Sequence, residues 1–239
     1  MPAERIVEGV WRILKGYVNA YLFEASDGVV MVDSGTPKKA ERLLQAVRDT
    51  RHDERDLRAV LITHHHVDHV GSLAELARRT GATVYVPAGD APIIRGQRPA
   101  PPPNRAVPTG RILGPVLARF IPKLDVPRVD VELHEGDDLP LPGGMRVIDT
   151  PGHTAGHISY LLPSGGGVLF AGDAAGARGS KVAPPVDMVF GTFTEDLDAA
   201  RRSFAKLARF EFDVMLPGHG KLVRERAAEL FRRSGPAAR

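Results

Sequence analysis

Thr63-His64-His65-His66-Val67-Asp68-His69 places four imidazoles and a carboxylate within the six consecutive positions 64–69. Side chains crowded in this way repel one another or compete for protons unless a cation holds them. Neutral imidazole with carboxylate is the donor set suited to zinc, and less selectively to iron or manganese. The preceding Arg58-Ala59-Val60-Leu61-Ile62 is a short apolar run that reads as a buried strand. The cluster therefore stands where a strand ends and a loop begins, a rigid platform for a site. Alternate residues of an extended segment share a face, so His64 and His66 fall on one side and His65 on the other. Asp68 and His69 follow after a turn, within reach of a second ion. The alternative is a solvated His-rich or tag-like run, but a tag would lie at a terminus and carry no aspartate at this offset.

Three further stretches repeat the pattern of an apolar run ending in a possible ligand beside glycine. Met145-Arg146-Val147-Ile148-Asp149-Thr150 leads into Pro151-Gly152-His153. Val168-Leu169-Phe170-Ala171 leads into Gly172-Asp173, and Phe212-Asp213-Val214-Met215-Leu216 leads into Pro217-Gly218-His219-Gly220. Each reads as a strand delivering a ligand into a tight loop, where glycine permits close backbone approach.

His64-x-His66-x-Asp68-His69, then His153, Asp173 and His219, with Val32-Asp33-Ser34-Gly35 upstream, resembles the metallo-β-lactamase fold superfamily of hydrolases. The resemblance runs from about residue 6 to about residue 222. It implies an α+β fold of αββα type, two mixed sheets packed face to face with helices outside. It also implies one metal held by His64, His66 and His153, another held by Asp68, His69 and His219, and a bridge at Asp173. Two divalent ions follow, zinc first, with iron or manganese as alternatives. Asp33 reads, by the same resemblance, as a carboxylate that orients the His-rich loop from behind, with a plain turn carboxylate as the alternative.

The 239 residues, 43% hydrophobic, suffice for a sizeable core, and one domain over 1–239 is expected. No run of eighteen apolar residues occurs, and Met1-Pro2-Ala3-Glu4-Arg5 leads into no signal-peptide core, so neither a membrane span nor export is indicated and the cytoplasm is the default. Absence of cysteine excludes disulfides and thiolate ligands. A net charge of +3 permits an anionic substrate, but the basic residues are scattered and no nucleic-acid-binding motif accompanies them, so a nucleic-acid partner is not expected.

Strands are expected at Val10–Leu14, Val18–Glu24, Val29–Val32 and Val84–Pro87, with a turn at Ser26-Asp27-Gly28. Helices are expected from Pro37 through Val47, over Ser72–Arg79 ending at Gly81, over Glu195–Ala208, and near Leu222–Arg232. His157 reads as a supporting or core histidine, and His52 and His134 as surface residues. The segment 91–128 stands apart, with nine prolines, seven Arg or Lys and a single acid, Asp125. Pro99-Ala100-Pro101-Pro102-Pro103 must be extended. Behind it Ile112, Leu113, Val116, Leu117, Phe120 and Ile121 recur at helical spacing in a basic, Pro-interrupted element. It reads either as a lid or docking element or as an insertion packed on the core.

The chemistry that such a site implies is hydrolysis of an ester, thioester or lactone of a small, anionic or acyl-bearing molecule by metal-bound hydroxide. Asp68 would shuttle a proton to the leaving group. By resemblance the Asp173 bridge points toward glyoxalase II, lactonases and RNA-processing members and away from true β-lactamases. The loop Ala174-Ala175-Gly176-Ala177-Arg178-Gly179 lacks the tyrosine of acyl-homoserine lactonases, and the chain lacks the C-terminal helical domain of many glyoxalase II enzymes. A phosphodiesterase or ribonuclease, a mononuclear iron persulfide dioxygenase, and a metal-stabilised binding module are the competing readings.

Overall fold

The computed structural model describes residues 2–106, 108–112, 114–122, 124–139, 141, 144–177, 186–187 and 191–234. In chain order the first half comprises β1 (Glu4–Val7), β2 (Val10–Leu14), β3 (Ala20–Ala25), β4 (Gly28–Val32), α1 (Ala40–Asp49), β5 (Leu57–Leu61), α2 (Val67–Val70), α3 (Leu73–Thr80) and β6 (Thr83–Pro87). Short helices α4 (Ala91–Ile94), α5 (Pro108–Ile112) and α6 (Gly114–Ala118) precede β7 (Val131–Leu133). The second half contains β8 (Asp138–Leu139), β9 (Met145–Asp149), β10 (Ile158–Leu162), β11 (Val168–Gly172), β12 (Gly176–Ala177), β13 (Val186–Asp187), α7 (Leu197–Leu207), β14 (Val214–Pro217) and α8 (Ala227–Ser234).

Two sheets carry the architecture, one ordered β1-β2-β3-β4-β5-β6-β7 and the other β14-β11-β10-β9-β8. Strand periodicity explains why both are covered on each face. In β3 and β4, Tyr21, Phe23, Val30 and Val32 enter the core between the sheets, while Ala20, Leu22, Val29 and Met31 face the core shared with α1 and α3. In β11 and β14, Val168, Phe170, Val214 and Leu216 point between the sheets, and Leu169, Ala171 and Met215 pack under α7 and α8. The layers are therefore helix, sheet, sheet, helix, as the sequence resemblance implied.

Local chemistry places the helix ends. Gly81 terminates α3 in the left-handed region at φ 74°, and the Asp196 side chain starts α7 by accepting from the backbone of Asp198 and Ala199. Some boundaries differ from expectation. β3 starts at Ala20 rather than Val18, and α1 starts at Ala40 rather than Pro37, after a turn in which Lys38 has φ 63°. Val223 bridges Met215 instead of opening the final helix, which begins only after Arg226 at φ 54°. The strand Glu4–Val7 was not anticipated, because it is short and half polar.

In the Pro-rich segment, residues 99–103 form no regular element. Ile112, Val116, Phe120 and Ile121 are exposed, so these side chains do not pack on the core. Leu113 and the side chain of Leu117 lie outside the described residues. Among the described residues no helix is long and apolar enough to cross a membrane.

Candidate metal centre

The seven residues singled out as ligands meet at one rim of the sandwich. His64 and His66 follow β5, Asp68 and His69 lie in α2, His153 follows β9, Asp173 follows β11 and His219 follows β14. β11 and β14 are parallel, with Gly172 opposite Pro217, so Asp173 and His219 leave the sheet side by side. Bonds between the halves hold the rim closed. Tyr160 Oη donates to Ile62 O at 2.6 Å, Tyr21 Oη donates to Pro217 O at 2.6 Å, and the Asn19 backbone N donates to Gly218 O at 2.7 Å.

Two triads result. His66 Nδ1 lies 3.1 Å from His64 Nε2 and 2.9 Å from His153 Nε2. His219 Nε2 lies 3.3 Å from His69 Nε2 and 3.2 Å from Asp68 Oδ2. Asp173 stands between them, with Oδ2 3.1 Å from His153 Nε2 and 3.4 Å from His219 Nε2, and Oδ1 3.7 Å from His69 Nε2. His64, His69 and Asp173 also meet the geometric requirement for a shared ion.

The outer partners decide where protons reside. Asp33 accepts from Thr63 N at 2.9 Å and from Thr63 Oγ1 at 2.9 Å, so the threonine oxygen, 3.0 Å from His64 Nδ1, is left to accept from that ring. His153 Nδ1 faces Thr194 Oγ1 at 3.3 Å, and His219 Nδ1 donates to Tyr17 O at 2.5 Å. With their outer nitrogens protonated, these rings turn bare lone pairs inward. Burial, reinforced by the neighbouring imidazoles, pushes His64 and His153 well below the ordinary histidine value, and pushes His66 down to about 3. Three neutral nitrogens thus face one another with no proton to share, an arrangement that a cation satisfies.

In the second triad burial opposes the charged form, yet Asp33 and Asp173 hold His69 protonated up to about 10 in the metal-free chain. Asp68 similarly raises His219 against the effect of burial. Between two Nε2 atoms at 3.3 Å only a proton or a cation fits, and a cation would take the proton's place. Burial raises the carboxyl of Asp173, whose Oδ1 is fully buried without a hydrogen-bond partner. A partnerless buried carboxylate oxygen between two nitrogen-rich triads fits a divalent ion. Gly218 makes room for it, since a Cβ there would lie 2.3 Å from Asp173 Oδ1 and 2.7 Å from His69 Cε1.

His65 turns away, as strand alternation requires. Its backbone N and Nδ1 lie 2.8 and 3.0 Å from Asp90 Oδ2. Asp90 also accepts from Thr154 Oγ1 at 2.8 Å and Gly156 N at 2.9 Å, tying the His65 loop to the His153 loop. His157 supports the site as expected, with Nδ1 against Thr150 Oγ1 at 2.8 Å and Nε2 accepting from Asp173 N at 2.9 Å. His134 is exposed and His52 half-buried, both remote from the triads.

Sequence reasoning missed Asp90, Thr63, Thr194, Asn19 and Tyr17. Asp90 sits just before Ala91-Pro92, a signal for a helix start, yet its carboxylate does not cap α4. Tyr17 is exposed with its ring edge-on to His219, centroids 5.0 Å apart, and Phe193 stands 6.0 Å from His66. Asn104 binds Thr192 O and Thr194 O at 2.8 and 2.7 Å, linking the Pro-rich segment to the partner of His153.

Several known proteins resemble the chain in sequence or in fold. "Probable metallo-hydrolase YflN" of Bacillus subtilis (strain 168) is 29% identical over 230 residues, 89% of this chain and 84% of that protein. A hydroxyacylglutathione hydrolase of Halorhodospira halophila (strain DSM 244 / SL1) is 37% identical over 125 residues, which are 52% of this chain but only 34% of that enzyme. The crystal structure of BJP-1, a subclass B3 metallo-beta-lactamase of Bradyrhizobium japonicum, matches with a TM-score of 0.71 over 97% of this chain and 89% of that one, at 20% identity, a likeness of fold alone. The family model for the metallo-beta-lactamase superfamily matches residues 14–219, the span that carries β3 to β14 and every residue of the two triads, and the chain belongs to that superfamily.

Proposed function

We propose that the chain is a dinuclear metallo-hydrolase that cleaves an ester, thioester or lactone. The observation that carries this reading is the pair of facing donor triads with Asp173 between them, its Oδ2 3.1 and 3.4 Å from a nitrogen of each and its Oδ1 buried without a hydrogen-bond partner. His64, His66 and His153 hold one ion, Asp68, His69 and His219 hold the other, and Asp173 bridges. Zinc suits these donors first, iron or manganese next. Two such ions, when bound, supply Lewis acidity and a water acidified toward neutrality.

The remaining roles belong to the chain's own side chains. Asp33 and Thr63 hold His69 and His64 in the tautomers that face inward. Asp68 is half-buried at the rim, and the His219 contact together with the surrounding imidazoles overcomes burial to keep its carboxyl well below the usual range. As a carboxylate it would take the proton released by the attacking water and pass it to the leaving oxygen or sulfur. Tyr17 and Phe193 border the opening with apolar ring surface suited to an acyl group. The similarity to hydroxyacylglutathione hydrolases favours a thioester, although it spans about a third of that enzyme's length.

The test is elemental analysis of the purified chain followed by a panel of esters, thioesters, lactones and phosphodiesters under zinc, iron and manganese loading. Two bound ions with turnover of a carboxylic substrate support the reading. Cleavage of phosphodiesters alone would sink it, and so would one iron with sulfite production from a persulfide.

A further inference from the structure

Six large hydrophobic side chains are exposed among the described residues, and five of them, Ile112, Val116, Phe120, Ile121 and Val126, fall within 112–126. The sixth, Tyr17, borders the metal centre. The inner side of this segment is already occupied. Gly110 and Gly114 are buried, and an added Cβ would lie 2.0 Å from Asn104 O at the first and 2.6 Å from Pro103 Cβ at the second. α5 and α6 thus turn their smallest residues toward the Pro103-Asn104 stretch and Thr192. Ile112 at the end of α5, Val116 in α6 and Phe120 just beyond α6 remain 69, 54 and 78% exposed, an apolar ridge open to solvent.

Charge indicates what covers the ridge. Residues 91–128 hold seven Arg or Lys against one acid, Asp125, which lies 3.6 Å from Arg78 outside the segment. Arg105, Arg111 and Arg119 are exposed and make no ion pair among the described residues. A second copy of the chain would bring the same positive charge against this face. Exposed apolar side chains among guanidinium groups, with Asp125 as the one acid of the segment, match the boundary between headgroups and acyl chains in an anionic bilayer.

We propose that Ile112, Val116 and Phe120, flanked by Arg105, Arg111 and Arg119, dock the chain on an anionic lipid surface. The apolar ridge enters the acyl boundary while the guanidinium groups meet headgroup phosphates. The docking face is joined to the metal centre through Asn104 and Thr194, which in turn meets His153.

Flotation of the purified full chain with phosphatidylcholine vesicles, with and without phosphatidylglycerol, tests this at low and high sodium chloride. The chain should float with the anionic vesicles, bind neutral ones at least about tenfold more weakly, and be released by salt. Phe120→Asp and Ile112→Asp should each weaken binding by about tenfold or more, with bound metal, circular dichroism and thermal midpoint unchanged. Absence of flotation with anionic vesicles would overturn the proposal. Equal flotation of folded Asp variants would do the same, as would a lipid-free dimer or acidic protein complex abolished by those substitutions.

Discussion

The carboxylate of Asp33 accepts from His69 Nδ1 at 2.8 Å, from the side of the ring opposite the triads. Asp33 itself is held at φ 62°, a left-handed conformation unusual for a non-glycine residue and maintained by its bonds to Thr63. Its one side chain therefore orients a ring in each triad, directly for His69 and through Thr63 for His64. Asp33→Ala should lower metal affinity by about 10–100-fold, the usual effect of losing a ligand's outer partner. Competition with a chromophoric chelator measures it, and wild-type affinity would show that packing alone orients the rings.

Asp173 and His65 should behave as opposites. Asp173→Ala removes the only carboxylate that touches both triads among the described residues and should cost at least one bound ion and most activity. His65→Ala should leave the metal count near that of the wild type, because the ring points to Asp90. Mass spectrometry under native conditions reads both. Equal metal loss would contradict the alternation of side chains along residues 64–66.

Asp90 should matter for stability more than its distance from the chemistry suggests. All four groups around it donate: two from His65, one from Thr154 and one from Gly156. Even the isosteric Asp90→Asn turns an amide donor into that ring of donors. A loss of about 3–5 kcal/mol is expected, the cost of breaking a buried charged network. Chemical denaturation reads the loss, and a change below about 1 kcal/mol would mean that water replaces the carboxylate.

The metal-free chain should be most stable near pH 6.5. Burial depresses His157 to about 3 from an ordinary 6.5, so the folded state binds fewer protons in that window. Its stabilisation is present above 6.5 and is lost as pH falls toward 3. His69 has the opposite sign: Asp33 and Asp173 outweigh burial and raise it to about 10, so its contribution is complete below 6.5 and lost as pH rises through 10. A bound ion replaces the His69 proton and should remove the alkaline decline. Urea unfolding across this range, with and without chelator, checks both arms.

Most of the frame was legible because strand alternation and ligand chemistry are local. Val29 to Val32 and Val168 to Ala171 read as strands and are strands with both faces covered, and each of the seven ligand candidates lies at the rim. What escaped notice depends on distant partners. Nothing in Gly89-Asp90-Ala91 tells that the carboxylate will meet His65 and Thr154, and nothing in Tyr17 tells that its carbonyl will meet His219. Leu222 and Val223 carry helix-compatible apolarity, but their neighbour Met215 claims Val223 for a bridge. In residues 112–121 the helical spacing was visible, whereas the direction of the apolar ridge was set by Gly110 and Gly114 against Asn104 and Pro103.

His69 and His219 are 150 positions apart in the chain, yet their ring nitrogens meet at 3.3 Å. A contact of that separation closes a loop containing most of the polypeptide, so its entropy must be overcome before the second triad exists. During synthesis, the donors from residues 64–69 wait for β14 to emerge and pair alongside β11. If two ions are held as proposed, filling of the second triad therefore requires β14 in place beside β11, whereas the first triad draws on no residue of β14 or the loop after it.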